Sequence, residues 1–185
     1  MKVFIGGSRR ISRLNTEVKK RLQNIIDQTF TVLIGDANGA DKAVQKFFAE
    51  KGYNEVIVYC SGSKCRNNLG GWPTINIDVK KNLKGIAFYM IKDKRMADEA
   101  DYGFMLWDGK SAGTLNNILN LLKQQKNLLL YFSPNKQFLT ISSLHQLNDI
   151  LNFCKDEDKL KIDKKIGFYR IIEEMSSAKQ LTLPL

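Results

Sequence analysis

The chain has one histidine and three cysteines in 185 residues. That histidine, His145, stands far from Cys60, Cys65 and Cys154, so a closed zinc site lacks donors and no metal is expected. The spacing of Cys60 and Cys65 is loose for a metal knuckle, and the three thiols read as ordinary reduced cysteines of a cytoplasmic protein. No apolar run approaches the roughly 18 residues of a membrane span, so no membrane partner is expected. The opening MKVFIGGSRR turns polar too soon for a signal peptide and reads as a first strand.

What is present is a basic chain of ordinary core content. Apolar residues make up 43%, enough for a sizeable core, and the length fits one domain with a small appendage. The net charge is +10, and residues 1–133 carry nearly all of it, with 21 Lys+Arg against 12 Asp+Glu. Such a field favours an anionic partner, whether a nucleotide phosphate or a nucleic acid.

Strand and helix patterns alternate along the first part. Residues 2–6 read as a buried strand ending at Gly6-Gly7-Ser8. Residues 15–29 carry a helical stripe with Asn15 or Thr16 as its cap. Strands follow at Thr29–Ile34, Glu55–Tyr59, Tyr102–Trp107 and Leu128–Phe132, with helical stripes over Ala40–Phe48, about 83–100 and Leu115–Leu122. Residues 61–80, rich in Gly, Ser and Asn, read as a long loop. The expectation is an α/β fold: a Rossmann-like parallel sheet with helices on both faces over residues 1–133. Residues 134–185 read as a small C-terminal, mainly helical extension, packed on the same sheet or at a dimer interface. It comprises a strand at Phe138–Ile141, a helix from Ser143, a charged stretch over 155–165 and a short helix around Ile166–Met175. No internal repeat is present.

Parallel sheets bind ligands beyond the carboxyl ends of their strands, and three polar glycine clusters fall there. The first is Gly6-Gly7-Ser8-Arg9, where glycine admits close backbone approach, Ser8 adds a hydroxyl and Arg9 a phosphate-matching fork. The second runs Gly35-Asp36-Ala37-Asn38-Gly39-Ala40-Asp41 into a helix N-terminus, which favours an anion. Asp41 serves either as a helix cap or toward the ligand, and Asp36 could reach a ribose hydroxyl. The third is Asp108-Gly109-Lys110-Ser111-Ala112-Gly113-Thr114, where Ser111, Gly113 and Thr114 either hold a phosphate or leave Thr114 as an N-cap. It lacks the upstream glycine of a P-loop, and no G-x-G-x-x-G is present, so neither ATP hydrolysis by that route nor NAD is indicated and no cofactor is expected.

These motifs, with Lys92-Asp93-x-x-Met96-Ala97-x-x-Ala100-Asp101 between them, resemble the SLOG superfamily over residues 1–132. That group includes LOG phosphoribohydrolases, the DNA-processing protein DprA and small YspA-like proteins, the last being most similar. The resemblance implies a nucleotide or nucleotide-derived ligand among the three loops. LOG enzymes carry a catalytic glutamate after their last glycine motif, and Asn117 occupies that place here. An amide cannot act as a general base.

The leading expectation is therefore a sensor or binding protein for a nucleotide-type phosphate ligand. One alternative is an N-glycosidic-bond hydrolase or transferase for nucleosides or their monophosphates, with Asp108 and Asp93 as its two carboxylates. Another is DprA-like single-stranded nucleic-acid binding through Arg9, Arg10, Arg13, Lys19, Lys20 and Arg21. Self-association into a homo-oligomer is left open.

Overall fold

Short apolar runs separated by helical stripes have to bury both faces, and the chain does so as a three-layer α/β fold. The structure is a computed structural model that describes residues 1–78 and 85–181. In chain order the elements are β1 (Lys2–Gly7), α1 (Thr16–Asp27), β2 (Thr31–Gly35), α2 (Ala40–Glu50), β3 (Val56–Ser61), β4 (Thr74–Ile77) and α3 (Gly85–Glu99). They continue with β5 (Tyr102–Trp107), α4 (Ala112–Lys123), β6 (Leu128–Phe132), β7 (Gln137–Ile141), α5 (Leu144–Leu151), α6 (Asp156–Ile166) and α7 (Phe168–Leu181).

The seven strands among the described residues lie in one sheet of order β4-β3-β2-β1-β5-β6-β7. Pairing is parallel throughout except for β7, which runs antiparallel to β6 with Leu128 opposite Ile141. Side chains alternate between the faces. Val3, Ile5, Val32, Ile34 and Val58 point to a core closed by Val18 and Leu22 of α1 and by Val44 and Phe48 of α2. Phe4, Leu33, Tyr59, Met105 and Trp107 point to the other, closed by Met96 of α3, Leu115 and Ile118 of α4, and side chains of α5, α6 and α7. Truncating one such fully buried aliphatic side chain costs about 2–5 kcal/mol.

Local chemistry sets the helix ends. Asn15 Oδ1 accepts from Val18 N at 2.8 Å and starts α1. Ser143 Oγ accepts from Gln146 N at the start of α5. Gly167 ends α6 with φ 61°, a left-handed conformation suited to glycine.

Three sequence expectations need correction. The loop read over 61–80 contains β4, a short edge strand whose exposed-to-half-buried alternation leaves little apolar signal. The charged stretch 155–165 is the helix α6, organised by acids in its first turn and lysines in its last, which complement the helix dipole. Cys60 and Cys65 are joined in a disulfide with a Cα separation of 5.1 Å, and only Cys154 is free, so the reading of three reduced thiols does not hold. The start of the helix expected at about 83 lies outside the described residues. Among the described residues no helix is long and apolar enough to cross a membrane.

Candidate functional site

In this strand order β1 has β2 on one side and β5 on the other, and the chain winds away from it in both directions. A crevice must open beyond the carboxyl ends at such a switch point. A cavity of about 600 Å³ lies there, within the range of small-molecule sites. Its wall includes Gly6 and Gly7 from β1, Asp41 from α2, Lys92 and Asp93 from α3, and Asp108, Ser111, Gly113 and Thr114 from the segment joining β5 to α4.

The first and third glycine clusters are tied together by side chains. Ser8 Oγ donates to Asp108 Oδ1 at 2.8 Å and accepts from Asp108 N at 3.1 Å. The same Oδ1 accepts from Lys110 N at 3.0 Å and Ser111 N at 2.9 Å. Ser111 is the N-cap of α4, accepting from Thr114 N at 3.3 Å and Thr114 Oγ1 at 2.9 Å. Thr114 is therefore not the cap. Asp108 is engaged as an organiser of its loop, a role distinct from the catalytic one considered for it.

Glycine is needed here for space. A Cβ on Gly7 would sit 2.5 Å from the Leu106 carbonyl oxygen and 2.7 Å from Ala40 Cβ. Gly39 has φ 86° and packs against the Arg9 backbone, so any side chain there is strained twice over. Gly113, by contrast, faces open space.

An acid–base cluster occupies the inner wall. Lys92, 3% exposed, donates to Asp93 Oδ1 at 2.5 Å. A Cβ on Gly35 would meet Asp41 Oδ2 at 2.5 Å and Lys92 Nζ at 2.7 Å, so the missing side chain lets both groups settle over the end of β2. Burial pushes the Asp41 carboxyl up to about 6, against the pull of Lys92. Burial also opposes charge on Lys92, but Asp93 and Asp41 outweigh it and the ammonium stays charged. Asp41 does not cap α2; its Oδ2 accepts from Ala37 N at 3.2 Å, and the cap position is Gly39. Asp93 lies in the middle of α3.

Sequence reasoning missed the outer wall. Arg66 and Tyr89 line the cavity, with the Arg66 guanidinium carbon 4.2 Å from the Tyr89 ring centroid and that of Arg9 5.2 Å from it. Arg66 also grips Asp36 through Nε at 3.0 Å and Nη2 at 2.5 Å. Burial pushes the Asp36 carboxyl up, but the hydrogen bonds from Arg66 prevail and hold it below the usual range. Arg10, Lys110 and Lys165 add cationic groups to the wall, Lys165 from α6, and Lys110 is paired with Asp158 at 3.1 Å. Among the described residues Arg9, Arg10 and Lys165 have no carboxylate partner. Asn117 also reaches the wall, and its Oδ1 is buried without a hydrogen-bond partner among the described residues.

Of the candidate binding residues, Gly6, Gly7, Arg9, Asp41, Asp108, Ser111, Gly113 and Thr114 line the cavity. Ser8, Gly35, Asp36, Asn38 and Gly39 do not; they build the loops behind it, with Asn38 Oδ1 accepting from Asn67 Nδ2 at 3.1 Å. Both candidate catalytic carboxylates, Asp93 and Asp108, are on the wall. Arg66 and Tyr89 gave no local motif in the sequence, because their pairing with Asp36 and Arg9 is long-range.

Comparison with known proteins places the fold. No family model matches the chain, and no curated protein matches it. Among solved structures, DNA processing protein A from Helicobacter pylori superposes with a TM-score of 0.58 at 16% identity. The match covers 90% of this chain and 80% of that one. That structure was described for its single-stranded DNA binding mode. Likeness at this level shows a shared fold.

Proposed function

We propose that the switch-point cavity binds a nucleotide unit, with its phosphate toward the glycine backbones of β1 and the first turn of α4. The observation that carries this reading is a cavity of about 600 Å³ at the strand carboxyl ends, ringed by Arg9, Arg10 and Lys165. The uncommitted cations favour an anion, and the helix start adds partial positive charge. The Arg66 guanidinium over Tyr89 adds a flat cationic group to the wall on which a base can stack. Asn117 Oδ1 lacks a donor, and a ribose hydroxyl or base amino group would supply one.

In this reading Asp93 and Asp108 position neighbouring groups and are not the pair of a hydrolase. Asp108 already holds three donors on one oxygen, and Asp93 neutralises Lys92. Isothermal titration with AMP, ADP-ribose and thymidine monophosphate tests the proposal. Binding that weakens in Arg9→Ala supports it, and no heat with any of the three sinks it. Chromatography of the same mixtures for released base tests the hydrolytic alternative.

A second reading, that the nucleotide belongs to a single strand of nucleic acid, is favoured by the net charge of +10 and by the fold shared with the Helicobacter pylori protein. A polyanion suits such a field better than one small ligand does.

A further inference from the structure

The disulfide of Cys60 and Cys65 stands directly before a residue of the cavity wall. Cys60 lies near the end of β3 and is fully buried, whereas Cys65 is half-buried in the loop that follows. Arg66 is the next residue. Its guanidinium lies 4.2 Å from the Tyr89 ring centroid, and its backbone N and side chain both bond Asp36. The cross-link therefore fixes the backbone one peptide away from a group that shapes the mouth of the site.

The two sides of this loop are held by different means. On the near side Ser61 Oγ donates to the Phe88 carbonyl at 3.2 Å, and Gly62 N donates to that of Ile77 at 3.0 Å. Ser63 and Lys64 are exposed, and among the described residues neither makes a hydrogen bond. On the far side Asn67 Nδ2 donates to the Asp36 carbonyl at 2.8 Å and to Asn38 Oδ1 at 3.1 Å. Gln45 Nε2 donates to the Asn67 carbonyl at 3.3 Å. Opening the disulfide would thus loosen residues 63–66 and leave Asn67 as their pivot. Arg66 would then keep its place only by its own bonds.

We infer that Cys60 and Cys65 form a thiol-exchange site, with a dithiol reductant as co-reactant, whose redox state sets how firmly Arg66 is held at the cavity wall and how tightly the cavity takes a nucleotide. The affinity half of this rests on the nucleotide reading of the cavity. Attack falls on Cys65, the more exposed of the two. A thiolate of the dithiol bonds to Cys65 Sγ, the bond between Cys60 and Cys65 breaks, and Cys60 leaves as a thiolate that takes up a proton. The second thiolate of the dithiol then attacks its own sulfur in the mixed disulfide and releases Cys65, which is protonated in turn. Two electrons pass to the protein, and the dithiol ends as a disulfide. In the oxidised chain Arg66 is already in place to meet a base. In the reduced chain it has to be ordered on binding, which weakens affinity by about threefold to tenfold.

Dithiothreitol treatment of the full folded chain, followed by thiol counting in denaturant, tests the exchange. The count should rise from the one free cysteine to all three. A count that stays at one overturns the proposal. Urea unfolding of the chain and of Arg66→Ala, each oxidised and reduced, tests the coupling. Reduction should shrink the effect of Arg66→Ala by about half or more. An unchanged effect overturns the link between the disulfide and Arg66. Titration with AMP reads the affinity. Reduction should weaken AMP binding in the parent chain and change nothing in Arg66→Ala or in Cys65→Ser, which cannot form the cross-link. Equal AMP affinity of the two redox forms overturns the control of binding and leaves the nucleotide reading standing. Absence of AMP binding in both forms counts against the nucleotide reading and removes the affinity half, and the unfolding cycle then decides the redox coupling alone.

Discussion

Arg66 holds Asp36 with two of its guanidinium nitrogens and a third bond from its own backbone N at 3.0 Å, so one residue supplies three hydrogen bonds to an almost fully buried carboxylate. The same guanidinium lies over Tyr89 on the cavity wall. One residue therefore couples the end of β2 to the mouth of the site.

Arg66→Ala should leave the Asp36 charge buried without its partner. A loss of about 1–3 kcal/mol is expected from the stranded group, moderated because Arg66 is itself a third exposed. Urea denaturation measures it. Arg66→Lys should recover only part, since an ammonium cannot reproduce the fork or stack flat on the ring. Full recovery with lysine would show that charge alone matters.

Gly7 and Gly113 should respond oppositely to alanine. Gly7→Ala forces a methyl against Leu106 and Ala40, and a loss of about 1–3 kcal/mol is expected. Gly113→Ala places a methyl in open space within α4 and should stabilise by about 0.5 kcal/mol or more. Nucleotide affinity should nevertheless fall in Gly113→Ala, because that methyl points where the phosphate is proposed to sit. Unfolding and titration on the same two proteins decide the matter.

Asp41 gives the protein a defined pH response. Burial raises its carboxyl from 3.8 to about 6 in the folded chain. Between those values the folded state keeps a proton that the unfolded state has lost, so stability falls as pH rises through this window and then levels. A gap of about two pH units corresponds to roughly 3 kcal/mol. Asp36 and Glu99, held below their ordinary values, act in the opposite sense and at lower pH. Asp41→Asn should therefore flatten the profile between about pH 4 and about pH 6. Denaturation midpoints across that range check it, and an unchanged slope would contradict the assignment.

Asn117 sets stability against binding. Its Oδ1 is buried with no donor, and an unpaired group of this kind costs about 1–3 kcal/mol. Asn117→Leu should raise the denaturation midpoint and weaken nucleotide binding. Weaker binding with no gain in stability would mean that the amide is already satisfied.

The sheet was legible because each central strand is an apolar run buried on both faces, as in Val32-Leu33-Ile34 of β2 and Phe104-Met105-Leu106 of β5. The edge strand β4 was not, since Thr74 and Asn76 share its four positions with two half-buried isoleucines. Helix α6 escaped for a related reason: Ile162 is its one fully buried apolar residue, and its order comes from terminal charges and neighbours. The glycine clusters pointed to the strand ends where the cavity lies. They did not tell which side chains face the cavity, because Ser8, Asp36 and Asn38 are consumed by bonds to residues remote in sequence.

The ion pair between Lys110 and Asp158 fastens α6 to the loop that starts α4, and Lys165 rides on the same helix. Any shift of α6 therefore moves the Lys165 charge on the cavity wall. A fragment ending at β6 would lose that latch together with the helices α6 and α7 that pack on α4. Affinities measured on such a fragment would report a different electrostatic mouth from that of the whole chain.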